Sequence, residues 1–280
     1  MQAAIPGKII THPNGQTTHL IIDNFTDPWL PCETILIQHG FARHAAFWYH
    51  WVPVLARKYR VIRRDARGHG HSSTPDERTY DYSIDTICEE IVDTLDQLGI
   101  RQVHFLGEST SGMVGEFFAC KHAERVKSLI ICSSPTFLPP QALSLFAFGH
   151  KDWPTACREL GSRGWAEALS KVPGTVSIQD KNYVDWWIDQ VGVSSAEGLA
   201  GYAKFLSSLD SRGVLSQIKV PMLILAPANS AATKLEEQRG IKQSVEQAQL
   251  EVISGKGHEI YVEMPEACQK AVLAFLSQIK

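Results

Sequence analysis

No two cysteines in this chain stand at C-x-x-C spacing: Cys32, Cys88, Cys120, Cys132, Cys157 and Cys268 lie far apart, and none pairs with a His at a zinc-binding interval. That excludes a disulfide framework and a zinc module, and the thiols are read as reduced and mostly buried. Long apolar runs are missing as well. No stretch reaches 18 apolar residues, and MQAAIPGKIITHPNGQ has no basic segment leading into an apolar one, so the expectation is no membrane association and a cytoplasmic location. Charge of one sign is also scarce. The formal charge is −3 and no Lys/Arg cluster stands out, which offers nothing to a phosphate backbone and argues against nucleic acid as a partner. There is no repeat, low-complexity tract or Pro/Gly/Ser-rich linker. With 44% hydrophobic residues over 280 positions, the chain can bury a substantial core as one large α/β domain or two small ones.

What is present is an alternation. Short apolar, β-branched runs at Thr18–Asp23, Thr34–His39, Arg60–Asp65, Val103–Gly107, Val126–Ser133, Met222–Ala226 and Leu250–Ile253 predict strands. Between them the spacing predicts helices over Trp48–Lys58, Ser83–Leu98, Thr110–His122, Leu235–Ser244 and Pro265–Gln278. This is the pattern of βα units around a mostly parallel sheet. Asn14-Gly15 predicts the turn of an N-terminal antiparallel hairpin. The alternation fails between Pro135 and Gly213, where Trp153, Trp165, Trp186 and Trp187 accumulate in helix-like sequence. The expected organisation is therefore a core of residues 1–134 and 214–280, with a helical cap inserted at 135–213.

Val103–Gly112 reads as a strand, then Gly107-Glu108-Ser109-Thr110-Ser111, then a helix. A G-x-S-x-G turn between strand and helix is so sharp that its flanking positions must be small, and it lifts the Ser hydroxyl to the carboxyl edge of the sheet. Here Ser111 replaces the last Gly, a mild departure because Ser is small. The same pentapeptide also fits a helix-capping Ser, so its context decides. Ile35–Phe41 is a buried strand ending in His39-Gly40, after which the Phe41 N–H can face a pocket. Together with the Thr110 N–H it forms the expected oxyanion hole. Arg63–Ser72 follows the next strand as a scaffold loop. Near the end, Gly255-Lys256-Gly257-His258-Glu259 follows the final strand and brings His258 to the same edge as Ser109, in reach as its base.

HGF at the oxyanion loop, RRDARGHGHS, GESTSG and GKGHE, in that order and spanning nearly the whole length, resemble the α/β-hydrolase fold superfamily. The segment HGFARHAAFWYHWVPVLARKYRVIRRDARGHG is similar to the branch of 3-oxoadipate enol-lactonases and meta-cleavage-product hydrolases. The resemblance implies an α/β-hydrolase fold with a mostly parallel central sheet flanked by helices, a helical cap, and a carboxylate a few residues after Met222–Ala226 to orient the His. Asn229 and Ser230 stand there instead, and the alternative loop, Cys132-Ser133-Ser134-Pro135, is not acidic either. Three readings stay open. Asn229, Ser230 or Ser134 holds the His as a neutral dipole; a carboxylate such as Glu108, Glu236 or Glu237 arrives from elsewhere; or the task has changed, since loss of the acid costs about 10⁴ in turnover in a related triad.

Arg43 follows the oxyanion loop and either pairs with a substrate carboxylate or is solvated. The pocket is expected to be lined by Trp153, Trp186 and Trp187 from the cap and by Trp48 from below, which suits a small hydrophobic or aromatic ester, lactone or ketone. The expected function is a serine hydrolase with a Ser109 acyl-enzyme and His258 as general base. It would need no cofactor or metal, and would be a monomer or homodimer. The alternatives are a cofactor-independent lyase or oxygenase on the same fold, and a receptor-like ligand-binding member with little turnover.

Overall fold

The computed structural model describes residues 7–230 and 232–279; residues 1–6, where the N-terminal stretch considered above begins, Ala231 and Lys280 lie outside the described residues. Eight strands form one sheet: β1 (Lys8–Thr11), β2 (Thr17–Asp23), β3 (Thr34–Gln38), β4 (Arg60–Arg64), β5 (Val103–Glu108), β6 (Val126–Cys132), β7 (Met222–Pro227) and β8 (Ala248–Ile253). Their order is β1-β2-β4-β3-β5-β6-β7-β8. Strands β1 and β2 form the N-terminal hairpin, with Gly15 at φ 79°, and β2 runs antiparallel to β4. From β4 onward the pairing is parallel. Parallel strands covered on both faces carry near-continuous apolar sequence, and β3 (TILIQ) and β7 (MLILAP) are buried at every position.

The helices are α1 (Val52–Leu55), α2 (Ile84–Gln97), α3 (Thr110–Lys121), α4 (Pro140–Ala147), α5 (Trp153–Ser170), α6 (Lys181–Val191), α7 (Ala196–Ser208), α8 (Leu235–Ser244), α9 (Ile260–Glu263) and α10 (Pro265–Leu276). In α2 the apolar face Ile87, Cys88, Ile91 and Leu95 repeats at helical spacing, and Ser83 caps the N-terminus by accepting from the Thr86 N–H at 3.2 Å. Trp48–Lys58 departs from the expected helix. A 3₁₀ segment covers Ala45–Trp51 and only one α turn follows, with Pro53 in its first positions. Proline supplies no N–H to an α ladder continuing from the residues before it, so a long helix cannot pass through.

The scaffold loop after β4 is built on buried charge. Arg67 forks onto Glu90 of α2 at 2.8 and 3.2 Å, and Asp65 accepts from the Ala45 N–H, the His71 N–H and the His19 ring. Its hydrogen bond to His19 and the neighbouring histidines hold the Asp65 carboxyl well below the usual carboxylate range, against the effect of burial. Four helices, α4 to α7, lie between β6 and β7, with α5 packed against the other three. They meet the sheet domain by backbone contact: a Cβ on Gly198 of α7 would lie 2.2 Å from the Gly68 carbonyl oxygen. In Gly198→Ala the helix gains about 1 kcal/mol of propensity but must push Gly68 aside, at a cost of about 1–3 kcal/mol. The expected outcome is a lower urea midpoint, and a higher one would disprove the close contact.

Candidate active site

Between β5 and α3 the chain turns on Ser109, whose backbone stands at φ 52° and ψ −128°. A non-glycine residue holds such a conformation only where its surroundings over-determine it. The surroundings are tight: a Cβ on Gly107 would lie 2.4 Å from the Ser111 carbonyl oxygen, and one on Gly40 would lie 2.8 Å from Ser109 Cβ. Ser111, at the departure from the G-x-S-x-G pattern, donates its hydroxyl to the His39 carbonyl at 2.5 Å. The substitution therefore ties the elbow to the end of β3 instead of disturbing it.

Neither the Phe41 nor the Thr110 N–H has a hydrogen-bond partner among the described residues. The peptide that carries the Phe41 N–H is oriented by its other end. His39 Nδ1 donates to the Gly40 carbonyl at 2.7 Å, while its Nε2 accepts the Ala66 N–H at 2.8 Å. Burial and the nearby His69 hold the His39 ring well below its ordinary pKa, so it stays neutral in that tautomer. This role of His39 escaped the sequence reading, which took it only as the end of a strand.

His258 reaches Ser109 as expected, with Nε2 2.9 Å from Ser109 Oγ. On the other side Nδ1 lies 3.3 Å from Ser230 Oγ. Of the three neutral orienters considered, Ser230 alone meets the ring. Asn229 donates to the Gly255 carbonyl at 3.2 Å, and Ser134 to the Pro135 carbonyl at 3.0 Å. The Ser230 oxygen also receives the Ala232 N–H, the Thr233 N–H and the Thr233 hydroxyl, at 3.1 to 3.2 Å, so donors converge there as they would on a carboxylate. None of the displaced acids arrives. Glu108 accepts from the Gly40 N–H, Glu237 binds the Thr136 N–H and hydroxyl at 2.8 Å, and Glu236 is exposed. With no carboxylate at the ring, burial and then the charge of Arg43 push His258 down to about 4.

Arg43 is a correction to both expectations. It is neither solvated nor free for a substrate, because its Nη2 and Nε bind Glu259 Oε1 at 2.6 and 3.1 Å in a fully buried ion pair. Trp187 lies against the guanidinium, 4.5 Å from ring centroid to Arg43 Cζ. Trp153 packs on Phe41 at 4.4 Å between ring centroids, and Trp165, not named for the pocket from sequence, joins it at 5.2 Å. Trp186 is half-buried against Phe47. Trp48 is a core residue stacked on Tyr261 at 4.4 Å.

Residues 33–265 match the family described as "alpha/beta hydrolase fold". The chain belongs to this family. Among relatives of this alpha/beta hydrolase, 3-oxoadipate enol-lactonase 2 of Acinetobacter baylyi is 27% identical over 248 residues, covering 87% of this chain and 88% of the relative. A hydrolase from Pseudomonas aeruginosa superposes with a TM-score of 0.78 at 26% identity, covering 98% of this chain and 99% of that one. The enol-lactonase from Burkholderia xenovorans LB400 reaches a TM-score of 0.84 at 23% identity, with coverage of 97% and 100%, and shows the shared fold alone. The family and these relatives support a hydrolase. Among the described residues of this alpha/beta hydrolase no group of His, Cys, Asp and Glu is placed to hold a metal, and no helix is long and apolar enough to cross a membrane.

Two titrations bracket the site. To act as the expected base His258 must be neutral, and Glu108, raised to about 7 by burial despite Arg43, becomes an anion beside the loop after β3 above that value. If the Phe41 and Thr110 N–H groups form the oxyanion hole expected from sequence, a negative charge there opposes the developing oxyanion, and kcat/KM is expected to fall below about pH 4 and above about pH 7. Glu108→Gln should remove the alkaline limb. Ser230→Asp places a carboxylate on Nδ1, which favours the protonated ring and moves the acid limb upward by a unit or more. An acid limb unmoved in Ser230→Asp would show that Ser230 does not face the ring.

Proposed function

We propose that this protein is a serine hydrolase that cleaves an ester, lactone or related acyl bond of a small hydrophobic or aromatic substrate. The observation that carries the reading is the 2.9 Å approach of His258 Nε2 to a Ser109 hydroxyl held on a strained elbow. In the proposed reaction Ser109 Oγ attacks the acyl carbon as its proton passes to His258. The Phe41 and Thr110 N–H groups, aided by the positive end of α3, hold the oxyanion. The imidazolium returns its proton to the leaving oxygen, and water then clears the acyl-enzyme with His258 again as base. The helices between β6 and β7 act as a cap whose Trp153 and Trp165, against Phe41, exclude water from the acyl group.

The low basicity of His258 shapes the substrate. A ring at about 4 is a weak acceptor for the Ser109 proton but, once charged, a strong donor. Acyl bonds whose leaving group is an enol or phenol tolerate a weak base best, because departure of such an oxygen needs little help. The enol-lactonase names of relatives agree with that preference. A second reading follows from the absence of a carboxylate at His258: the ring abstracts a substrate proton while Ser109 only hydrogen-bonds, as in a cofactor-independent lyase or oxygenase.

Intact-mass analysis with a fluorophosphonate separates these readings. One adduct on the wild type, none on Ser109→Ala, and labelling slowed by at least about 10²-fold in His258→Ala are expected. Aryl and enol esters should turn over where small polar amides do not. Turnover that survives Ser109→Ala would replace the hydrolase by the proton-abstraction reading.

A further inference from the structure

The imidazole of His258 has only a neutral, 3.3 Å contact to hold its outer nitrogen, so something else must fix the ring within reach of Ser109. The next residue is bound far more tightly. The Glu259 carboxylate is fully buried and collects donors from three separate parts of the chain. Arg43, two residues past Phe41, gives Nη2 and Nε. From α6, the Trp187 indole N–H donates at 3.1 Å and the Tyr183 hydroxyl at 3.5 Å. Ser177, between α5 and α6, gives its N–H at 3.3 Å, and its hydroxyl oxygen in turn receives the Glu259 N–H at 2.9 Å. The main chain beside His258 is thus pinned through both the backbone and the side chain of its neighbour.

Arg43 carries the tie onward. Its Nη1 donates to the Phe41 carbonyl at 3.3 Å, so the guanidinium that holds Glu259 also holds the residue whose N–H faces the oxyanion, and the Arg43 backbone N–H closes the same turn on the Gly40 carbonyl at 3.3 Å. The guanidinium lies over the Trp187 and Phe47 rings, with Cζ 4.5 and 5.5 Å from their centroids. Charge-assisted bonds inside a dry site are short and directional, and a planar fork positions its partner better than a point charge does. A buried pair of this kind adds little to stability over apolar residues of similar volume, yet breaking it by removing one partner strands a charge. Its value is then to be sought in registration.

We propose that Arg43 and Glu259 are positioning residues of the reaction, a buried pair that registers the His258 loop, the Phe41 oxyanion loop and helix α6 against one another in place of a carboxylate on the imidazole. The inference rests on the reading of Ser109 and His258 as the hydrolytic pair. Glu259 does not touch the reacting atoms; it acts through the backbone it shares with His258, and Arg43 acts through Phe41.

The test uses Glu259→Gln, Arg43→Met, Arg43→Lys and the double variant Arg43→Met/Glu259→Met, which buries no lone charge and keeps similar volume. Melting temperature reports the fold, the fluorophosphonate labelling rate reports the site, and the Cε1–H resonance of His258 reports the ring itself. The expected result is a labelling rate at least ten-fold lower in the folded double variant and in Glu259→Gln, with the His258 resonance shifted or broadened. Arg43→Lys should recover less than half of the loss seen in Arg43→Met, because the charge returns without the fork. A folded double variant that labels within two-fold of the wild type and keeps its His258 resonance overturns the inference. Should that variant not fold, the same criterion applied to Glu259→Gln decides. Absence of labelling on folded wild type would count against the hydrolase reading alone; an unchanged His258 resonance in the variants would then still refute the positioning role.

Discussion

A serine backbone at φ 52° and ψ −128° is the constraint on which the rest of this molecule is arranged. Such a conformation costs about 1–3 kcal/mol, and the surrounding structure has to supply it. It is supplied by parallel pairing of β5 with β3 on one side and β6 on the other, by α3 folding straight back onto β5 and β6, and by small residues wherever the turn passes close to other backbone. The same geometry sets the direction of the Ser109 hydroxyl and leaves the first N–H groups of α3 unpaired beside it. A sheet of this order, with its neighbouring loops at the carboxyl ends of β3, β4, β5 and β8, then brings Phe41, Asp65, Ser109 and His258 into one region.

The electrostatics of that region differ from those of a carboxylate-backed triad. His258 is neutral, buried and turned toward a hydroxyl that already serves three other donors. The charge nearby sits on Arg43 and Glu259, which neutralise each other, while burial raises Glu108 to about 7. A site wired in this way favours stability of position over basicity. On the proposed hydrolase reading, such a site would suit acyl groups whose leaving oxygen departs readily, and the aromatic wall of Phe41, Trp153 and Trp165 would keep the dielectric low around the two backbone N–H groups.

The elements were legible where local pattern and burial agree. The runs at Thr34, Val103, Val126 and Met222 lie among parallel strands buried on both faces and read as near-continuous apolar sequence, the run at Arg60 carries its charge on buried, paired arginines, and Leu235–Ser244 is a helix with the bounds its spacing suggests. Trp48–Lys58 was misread because Pro53 falls inside an otherwise helical pattern, and a 3₁₀ turn fits the same spacing over seven residues. Trp48 was assigned to the pocket on its place in the chain, whereas its stacking on Tyr261, more than two hundred residues later, places it in the core.

The sequence by itself determined the parallel strands, the elbow at Ser109 and the glycine-flanked His258, because apolar runs, small flanking residues and the order of the motifs along the chain agree on one course, and the family resemblance showed where an acid is lacking. The choice among Asn229, Ser230 and Ser134 needed the tertiary structure, since three neutral side chains of similar size differ only in which way their loops turn. The partnership of Arg43 with Glu259 was decided there too. The two residues stand 216 positions apart, and no periodicity links them. What joins them is the cost of burying a charge alone, which a folded chain can meet only by bringing its opposite to the same place.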